Sequence, residues 1–236
     1  MQIQYQIFPF GDDAVVLYFG QDISKETNFL VNAVARELHE GTFPGFIESN
    51  VSFTTITIHY DRRRLGGDDL DTVRGIVDEI IQRIHWTPFT NDEKLAIPVC
   101  YHPRLAPDLL SVARLNGMTV EELIQAHSDG HYFVSFVNFG GGIPFLGGVN
   151  KKLSAPKKHE PQLNYSPCSV GISGSKTGIF LVNASLAWNI IGRAPSAVLS
   201  RYQKWLKPGM DIQFVPITLE EYWHLEQLGN QKKKSS

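Results

Sequence analysis

Apolar positions along the chain follow two periods, and the change from one to the other marks the elements. Residues 3–10 and 14–19 read as strands. The second holds the run Val15-Val16-Leu17-Tyr18-Phe19, and Gly11-Asp12-Asp13 supplies the turn between them. A helix follows: Ser24 is placed to cap it, Glu26 lies in its first turn, and Gly41 ends it. Leu30, Val34 and Leu38 repeat every four residues and form one stripe. Over 51–60, Ile56, Ile58 and Tyr60 alternate with Thr55, Thr57 and His59, the pattern of a half-buried strand. Asp68 or Asp69 caps a second helix, with Leu70, Val73, Val77, Ile80 or Ile81, and Ile84 as its stripe. The order strand, strand, helix, strand, helix predicts a small α+β layer over residues 1–90, with sheet on one side and helices on the other.

The polar segment 87–93 reads as a joint between two domains. A strand runs from Leu95 to Tyr101, and Asp108 caps a short helix through Leu115 that ends at Asn116-Gly117. Thr119 with Glu122 three positions on forms a capping box for a helix to about His127. Beyond it, from 131 to 217, glycine turns separate short apolar runs. Strands are expected at 131–139, 169–173, 178–182, 189–192 and 211–216, which predicts a β-barrel or sandwich over 91–230. Residues 231–236, with Lys232, Lys233 and Lys234, read as a disordered, solvated tail.

A chain of 236 residues accommodates one large or two small domains. A net charge of −2 argues against a dedicated nucleic-acid binder, which shows a basic face. Two distant cysteines, Cys100 and Cys168, do not make a disulfide framework, so the expected compartment is reducing and cytoplasmic. Met1 to Tyr5 lacks the pattern of a signal peptide, and no apolar stretch is long enough to span a bilayer.

Chemistry is thinly signalled. Glycine-rich clusters lie at 139–148, 169–178, 188–195 and 207–211, where backbone amides can approach a ligand. Gly174-Ser175-Lys176-Thr177 is not a phosphate loop: Ser175 occupies the place of the last glycine, and a strand follows where a helix is required. No His-Glu-x-x-His, Cys-x-x-Cys or Gly-x-Ser-x-Gly is present, and no metal set is predicted. His127 ends a helix, where the dipole favours a cation; both a structural and an acid/base role fit it. Cys168, in a Pro-Cys-Ser turn, reads as a small buried residue. Arg193 either pairs with a core carboxylate or clamps an anionic ligand through its fork, and Lys176 offers a point charge. Trp188 and Phe145 serve as core or as a ligand platform.

Taken in order, the clusters resemble a known family: the B-type component of 5-oxoprolinase, also called allophanate hydrolase subunit 1 or the kinase-A inhibitor (KipI-like) family. The residues that carry the resemblance begin with Gly11-Asp12-Asp13-Ala14, Ile97-Pro98-Val99-Cys100-Tyr101 and the capped helix from Met118 to His127. They continue through Phe145-Leu146-Gly147-Gly148, Ser169-Val170-Gly171-Ile172, Gly174 and Thr177-Gly178. They end with Trp188, Ile191-Gly192-Arg193-Ala194-Pro195, Lys207-Pro208-Gly209-Met210-Asp211 and Phe214-Val215-Pro216-Ile217. The resemblance implies a ferredoxin-like N-terminal α+β domain and a cyclophilin-like C-terminal β-barrel. It implies partners, the C-type and A-type components of 5-oxoprolinase, with which 5-oxoproline is hydrolysed to glutamate using ATP as co-substrate. An alternative within the family is a non-catalytic inhibitor of a sensor histidine kinase. The site residues so implied are His127 as acid/base, with Arg193, Lys176, Thr177, Gly147, Gly148 and Trp188 binding the ligand. The chain departs from the family pattern at Pro156-Lys157 and Pro161-Gln162, where the family has Pro-Arg, at Gly141-Gly142-Ile143, and at Lys176.

Overall fold

The structure is a computed structural model that describes residues 4–41, 43–66, 70–84, 94–138, 143–150, 152–181, 183–202 and 206–234. It divides into two compact units, Met1–Thr90 and Asn91–Ser236. The expected joint at 87–93 lies outside the described residues, as do Asp68 and Asp69, the expected caps of the second helix.

In the first unit, strands β1 (Gln6–Pro9) and β2 (Ala14–Tyr18) form the expected hairpin. Helix α1 (Lys25–Glu40) starts where the Ser24 hydroxyl accepts the Thr27 N–H at 3.1 Å, and ends where the Gly41 N–H reaches the Glu37 carbonyl. The strand read over 51–60 is β4 (Thr55–Tyr60), and a further strand, β3 (Phe46–Val51), precedes it. The Ser52 N–H bonds to the Thr55 carbonyl at the turn between them. β3 is an edge strand with Ile47, Glu48 and Asn50 exposed, so it lacks the alternation that made β4 legible. A short helix α2 (Arg62–Leu65) and helix α3 (Leu70–Arg83) complete the unit. The sheet order is β1-β2-β4-β3, antiparallel throughout. Val15, Leu17, Ile56 and Ile58 of the sheet share one core with Val31, Val34 and Leu38 of α1 and Val73, Val77 and Ile80 of α3. The α+β layering is as expected, but the ferredoxin-like connectivity is not: that unit runs β-α-β-β-α-β. Here the strand beside β2 comes from the N-terminal hairpin, not from a strand after the last helix.

The second unit opens with β5 (Lys94–Cys100), helix α4 (Leu109–Leu115) and helix α5 (Val120–Ser128). The capping box is present: the Thr119 hydroxyl accepts the Glu122 N–H and the Glu122 carboxylate accepts the Thr119 N–H at 2.8 Å. Asp108, by contrast, makes no side-chain cap for α4. Next come β6 (Tyr132–Asn138), β7 (Ile143–Gly147), β8 (Gln162–Tyr165), β9 (Ser169–Ser173), β10 (Lys176–Phe180), β11 (Ala184–Leu186) and β12 (Asn189–Arg193). Helix α6 (Ser196–Tyr202), β13 (Asp211–Ile217) and helix α7 (Leu219–Lys234) follow. Helix α7 carries regular backbone into the segment read as a disordered tail. Its start is well fixed, because Thr218 and Glu221 form a second reciprocal cap.

Seven strands close into a barrel in the order β10-β7-β6-β13-β5-β12-β9, with β13 parallel to β5 along seven residue pairs. Closure removes unpaired edges and encloses Ile97, Val99, Leu123, Val134, Leu146, Val170, Ile172, Ile179 and Ile191, all fully buried. Bulges at Ser135 in β6 and Ile191 in β12 bend those strands. β8 and β11 pair with each other as a separate ribbon.

Candidate functional site

Strand register fixes which of the implied site residues meet. Thr177 pairs with Leu146, so Lys176 stands beside Gly147 where β10 begins and β7 ends. Lys176 also pairs with Ser173 of β9, and Asn189 pairs with Ile172, which brings Trp188 to the same rim. Gly148 follows with φ +84°; a Cβ there would lie 2.1 Å from the His131 carbonyl oxygen, so only glycine fits. Gly147, Gly148, Lys176, Thr177 and Trp188 therefore share one rim of the barrel.

Side chains alternate across a strand. Thr177 is fully buried, whereas Lys176, its neighbour, is only half-buried. Trp188 belongs to an aromatic cluster with Tyr165, Phe180, Ile143 and Ile190, and Phe145 packs against it. Its ring meets Phe145 and Phe180 edge-on at 5.7 and 5.5 Å. The Tyr165 hydroxyl donates to the Trp188 carbonyl at 2.6 Å. The platform and core readings of Trp188 and Phe145 thus resolve into one aromatic layer beside the rim, in which Trp188 is buried and Phe145 partly exposed.

Arg193 lies elsewhere. It pairs with Ser169, four residues from Ser173 along β9, which sets the Arg193 and Lys176 backbones about 13 Å apart along the strand direction, on opposite sides of β9. The two cations do not converge. The Arg193 Nε donates to the Pro167 carbonyl at 3.1 Å. Around it, Cys168 is buried with a left-handed φ of 66°, and Tyr222 of α7 is almost fully buried. Burial pushes the Tyr222 hydroxyl up, and the nearby Arg193 charge works against that rise. Glu226 accepts the Ser196 N–H and hydroxyl at 2.8 and 2.7 Å and the Tyr222 hydroxyl at 3.1 Å, holding α7 on α6. Cys100 and Cys168 are both buried, and neither is in a disulfide.

His127 lies in the barrel interior, fully buried, with its ring stacked on Phe214 at 4.6 Å. Its Nδ1 is 2.7 Å from the Tyr101 hydroxyl and its Nε2 is 3.3 Å from the Thr177 hydroxyl. Thr177 donates its single hydroxyl proton to the Gly171 carbonyl at 2.9 Å, so toward His127 it accepts. Burial depresses the imidazole pKa to about 3. The expectation of a cation favoured by the helix dipole is thereby corrected: the ring is neutral, because desolvation outweighs a dipole contribution of about 0.3–1 kcal/mol.

The sequence reading missed Tyr101, Asp108 with Lys158, and Tyr222. Tyr101 and the Asp108–Lys158 pair meet partners 26 and 50 residues away, which no local spacing signals. Among the described residues, no group of three or more His, Cys, Asp or Glu is placed to hold a metal, and no helix is long and apolar enough to cross a membrane.

A closed barrel with a glycine-lined rim and, in the same chain, a helix-covered antiparallel sheet define a recognisable class. The profile described as "Carboxyltransferase domain, subdomain C and D" matches residues 5–206, and the chain belongs to that family. It is similar to the B-type component of 5-oxoprolinase from Bacillus subtilis (strain 168), 34% identical over 94% of this chain and 97% of that protein. The solved structure of TTHA0988 is 26% identical with a TM-score of 0.67, covering 86% of this chain and 39% of that one. The K. lactis urea amidolyase, at 14% identity and a TM-score of 0.75 over 96% of this chain and 16% of that one, shares the fold.

Proposed function

We propose that this chain is the B-type component of an ATP-dependent 5-oxoprolinase, acting in the cytoplasm with a C-type and an A-type component. The observation that carries the reading is end-to-end similarity to a protein named as that component, over 97% of that protein's length. The barrel of the second unit is of the cyclophilin-like type. The lactam of 5-oxoproline is an unactivated amide, and phosphorylation of its oxygen by ATP makes the carbon open to water. Glutamate, ADP and phosphate are the products. Gly174-Ser175 turns directly into strand β10 and is not a phosphate loop; ATP enters as co-substrate of the complex.

Gly147, Gly148, Lys176 and Trp188 form the ligand-binding rim. Lys176 supplies a positive charge for the substrate carboxylate, and the glycines leave backbone amides accessible. Arg193 acts at the opposite rim as a second anion contact. His127 and Thr177 support the rim from inside the barrel, where their contribution is to hold strand β10. Co-expression with the two partner components tests this. The expected result is ATP-dependent release of glutamate from 5-oxoproline, weakened at least tenfold in KM by Lys176→Ala, the order of effect of losing one charged contact. No turnover by the complete set, or full activity of Lys176→Ala, overturns it.

A further inference from the structure

The hydrogen-bond and ring partners of His127 are neutral groups. Tyr101, after β5, meets Nδ1; Thr177 of β10 meets Nε2; Phe214 of β13 stacks on the ring; and Tyr132 of β6 sends its hydroxyl to the His127 carbonyl at 2.9 Å. No charged side chain of the described residues is among these contacts. The direction of each proton follows from counting donors. Thr177 has one hydroxyl proton, committed to the Gly171 carbonyl, so the bond to His127 requires Nε2–H. A neutral ring with Nε2–H has a bare Nδ1, which then takes the proton of the Tyr101 hydroxyl. The result is one directed chain: Tyr101 O–H to His127, His127 N–H to Thr177, Thr177 O–H to Gly171.

That chain ties together segments 26 and 50 residues apart, and it passes through Thr177 of β10, beside Lys176, to Gly171 of β9. Such an arrangement does more than fill a core. A phenylalanine at 101 would fill the same space, yet it would leave the bare, buried Nδ1 without a donor.

We propose that Tyr101 is a positioning residue for the barrel rim: its hydroxyl donates to the bare Nδ1 of the Nε2–H imidazole and fixes the ring, whose N–H anchors Thr177 and with it the start of β10 at Lys176. The consequence for substrate binding rests on the 5-oxoprolinase reading; the tautomer and its effect on β10 do not.

The test uses the full chain with 15N-labelled histidine and backbone, and His127 is assigned by its loss in His127→Gln. The expected result is a protonated Nε2 and a bare Nδ1, unchanged from about pH 7.5 to about pH 5.5. Tyr101→Phe shifts the Nδ1 resonance and moves the amides of Lys176, Thr177 and Gly178. Thr177→Ser, which keeps the hydroxyl, preserves the unsubstituted pattern, and Thr177→Val does not. In the assembled complex, Tyr101→Phe raises KM for 5-oxoproline about threefold or more and leaves kcat within about twofold. An Nδ1–H tautomer, titration of the ring within that pH range, or β10 amides unmoved by Tyr101→Phe overturns the proposal. Should Tyr101→Phe fail to fold, the tautomer of the unsubstituted chain and the Thr177→Ser and Thr177→Val pair decide it. A complex without turnover counts against the 5-oxoprolinase reading and leaves the spectroscopic outcome to judge this one.

Discussion

Lys158 Nζ lies 2.8 Å from each carboxylate oxygen of Asp108, and one of those oxygens also accepts the Ile190 N–H at 2.7 Å. The Asp108 N–H in turn donates to the Ile190 carbonyl, and the Lys158 N–H to the Ala187 carbonyl. This pair pins the segment before β8 onto β12, next to Trp188. Its two side chains are 23% and 16% exposed, so the charges are substantially shielded from water. Asp108→Ala removes the carboxylate from both the ammonium and the Ile190 N–H and should cost about 2–3 kcal/mol. Lys158→Met leaves Asp108 with the Ile190 N–H and some solvent, and should cost about 1 kcal/mol. Urea unfolding of the two variants checks the order; equal small losses would contradict it.

The buried imidazole makes stability depend on pH with a defined sign. His127 is depressed from 6.5 to about 3, so below pH 6.5 the unfolded chain binds a proton that the folded chain does not. Its contribution is complete above pH 6.5 and is lost as pH falls toward 3, at up to about 1.4 kcal/mol per pH unit. Glu221 is also depressed, by hydrogen bonds from the Thr218 N–H and hydroxyl, but it acts only below its usual 4.5. The window from about pH 7 to about pH 5 lies above the range of Glu221, and His127 should contribute a loss of about 2 kcal/mol across it. His127→Gln should start less stable and lose less over the same window. Urea midpoints at the two pH values give the answer.

Two glycines with positive φ should respond very differently to alanine. At Gly148, φ is +84° and the new Cβ would collide with the His131 carbonyl oxygen; at Gly174, φ is +59° with nothing within 4 Å. Gly174→Ala should cost about 1–2 kcal/mol from backbone strain alone. Gly148→Ala adds displacement of β-strand backbone and should cost about 3 kcal/mol or more. Thermal unfolding of both variants compares them directly.

Lys176 and Arg193 pair with opposite ends of β9, so their contributions to substrate affinity should be independent. In the assembled complex the logarithmic KM effects of Lys176→Ala and Arg193→Ala should add in the double variant to within about 0.5 kcal/mol. A coupling of about 1 kcal/mol or more would place both on one carboxylate and contradict the register.

What the sequence made legible was local. Ser24 and Gly41 bracket α1, and the Thr119–Glu122 box starts α5, because a cap is written within four residues of the helix it serves. β9 is a short uninterrupted run between turn residues and was readable to the residue. Strand β7 was hidden in a glycine-rich stretch whose Gly147 and Pro144 read as loop. β10 begins two residues earlier than its apolar run, since the polar Lys176 and Thr177 are part of it. Asp108 has the right place for a cap, and only the fold reveals that Lys158, 50 residues away, has claimed its carboxylate. The site residues from Gly147 to Trp188 were named in a set, but which of them share a rim depends on barrel register, and that separated Arg193 from the rest.

The most direct measurement is glutamate formation from 5-oxoproline and ATP by the A-type and C-type components, assayed with this chain present and with it omitted. Turnover that appears only when all three are together is the predicted result. Equal turnover by the other two chains alone, or none by the full set, would contradict it.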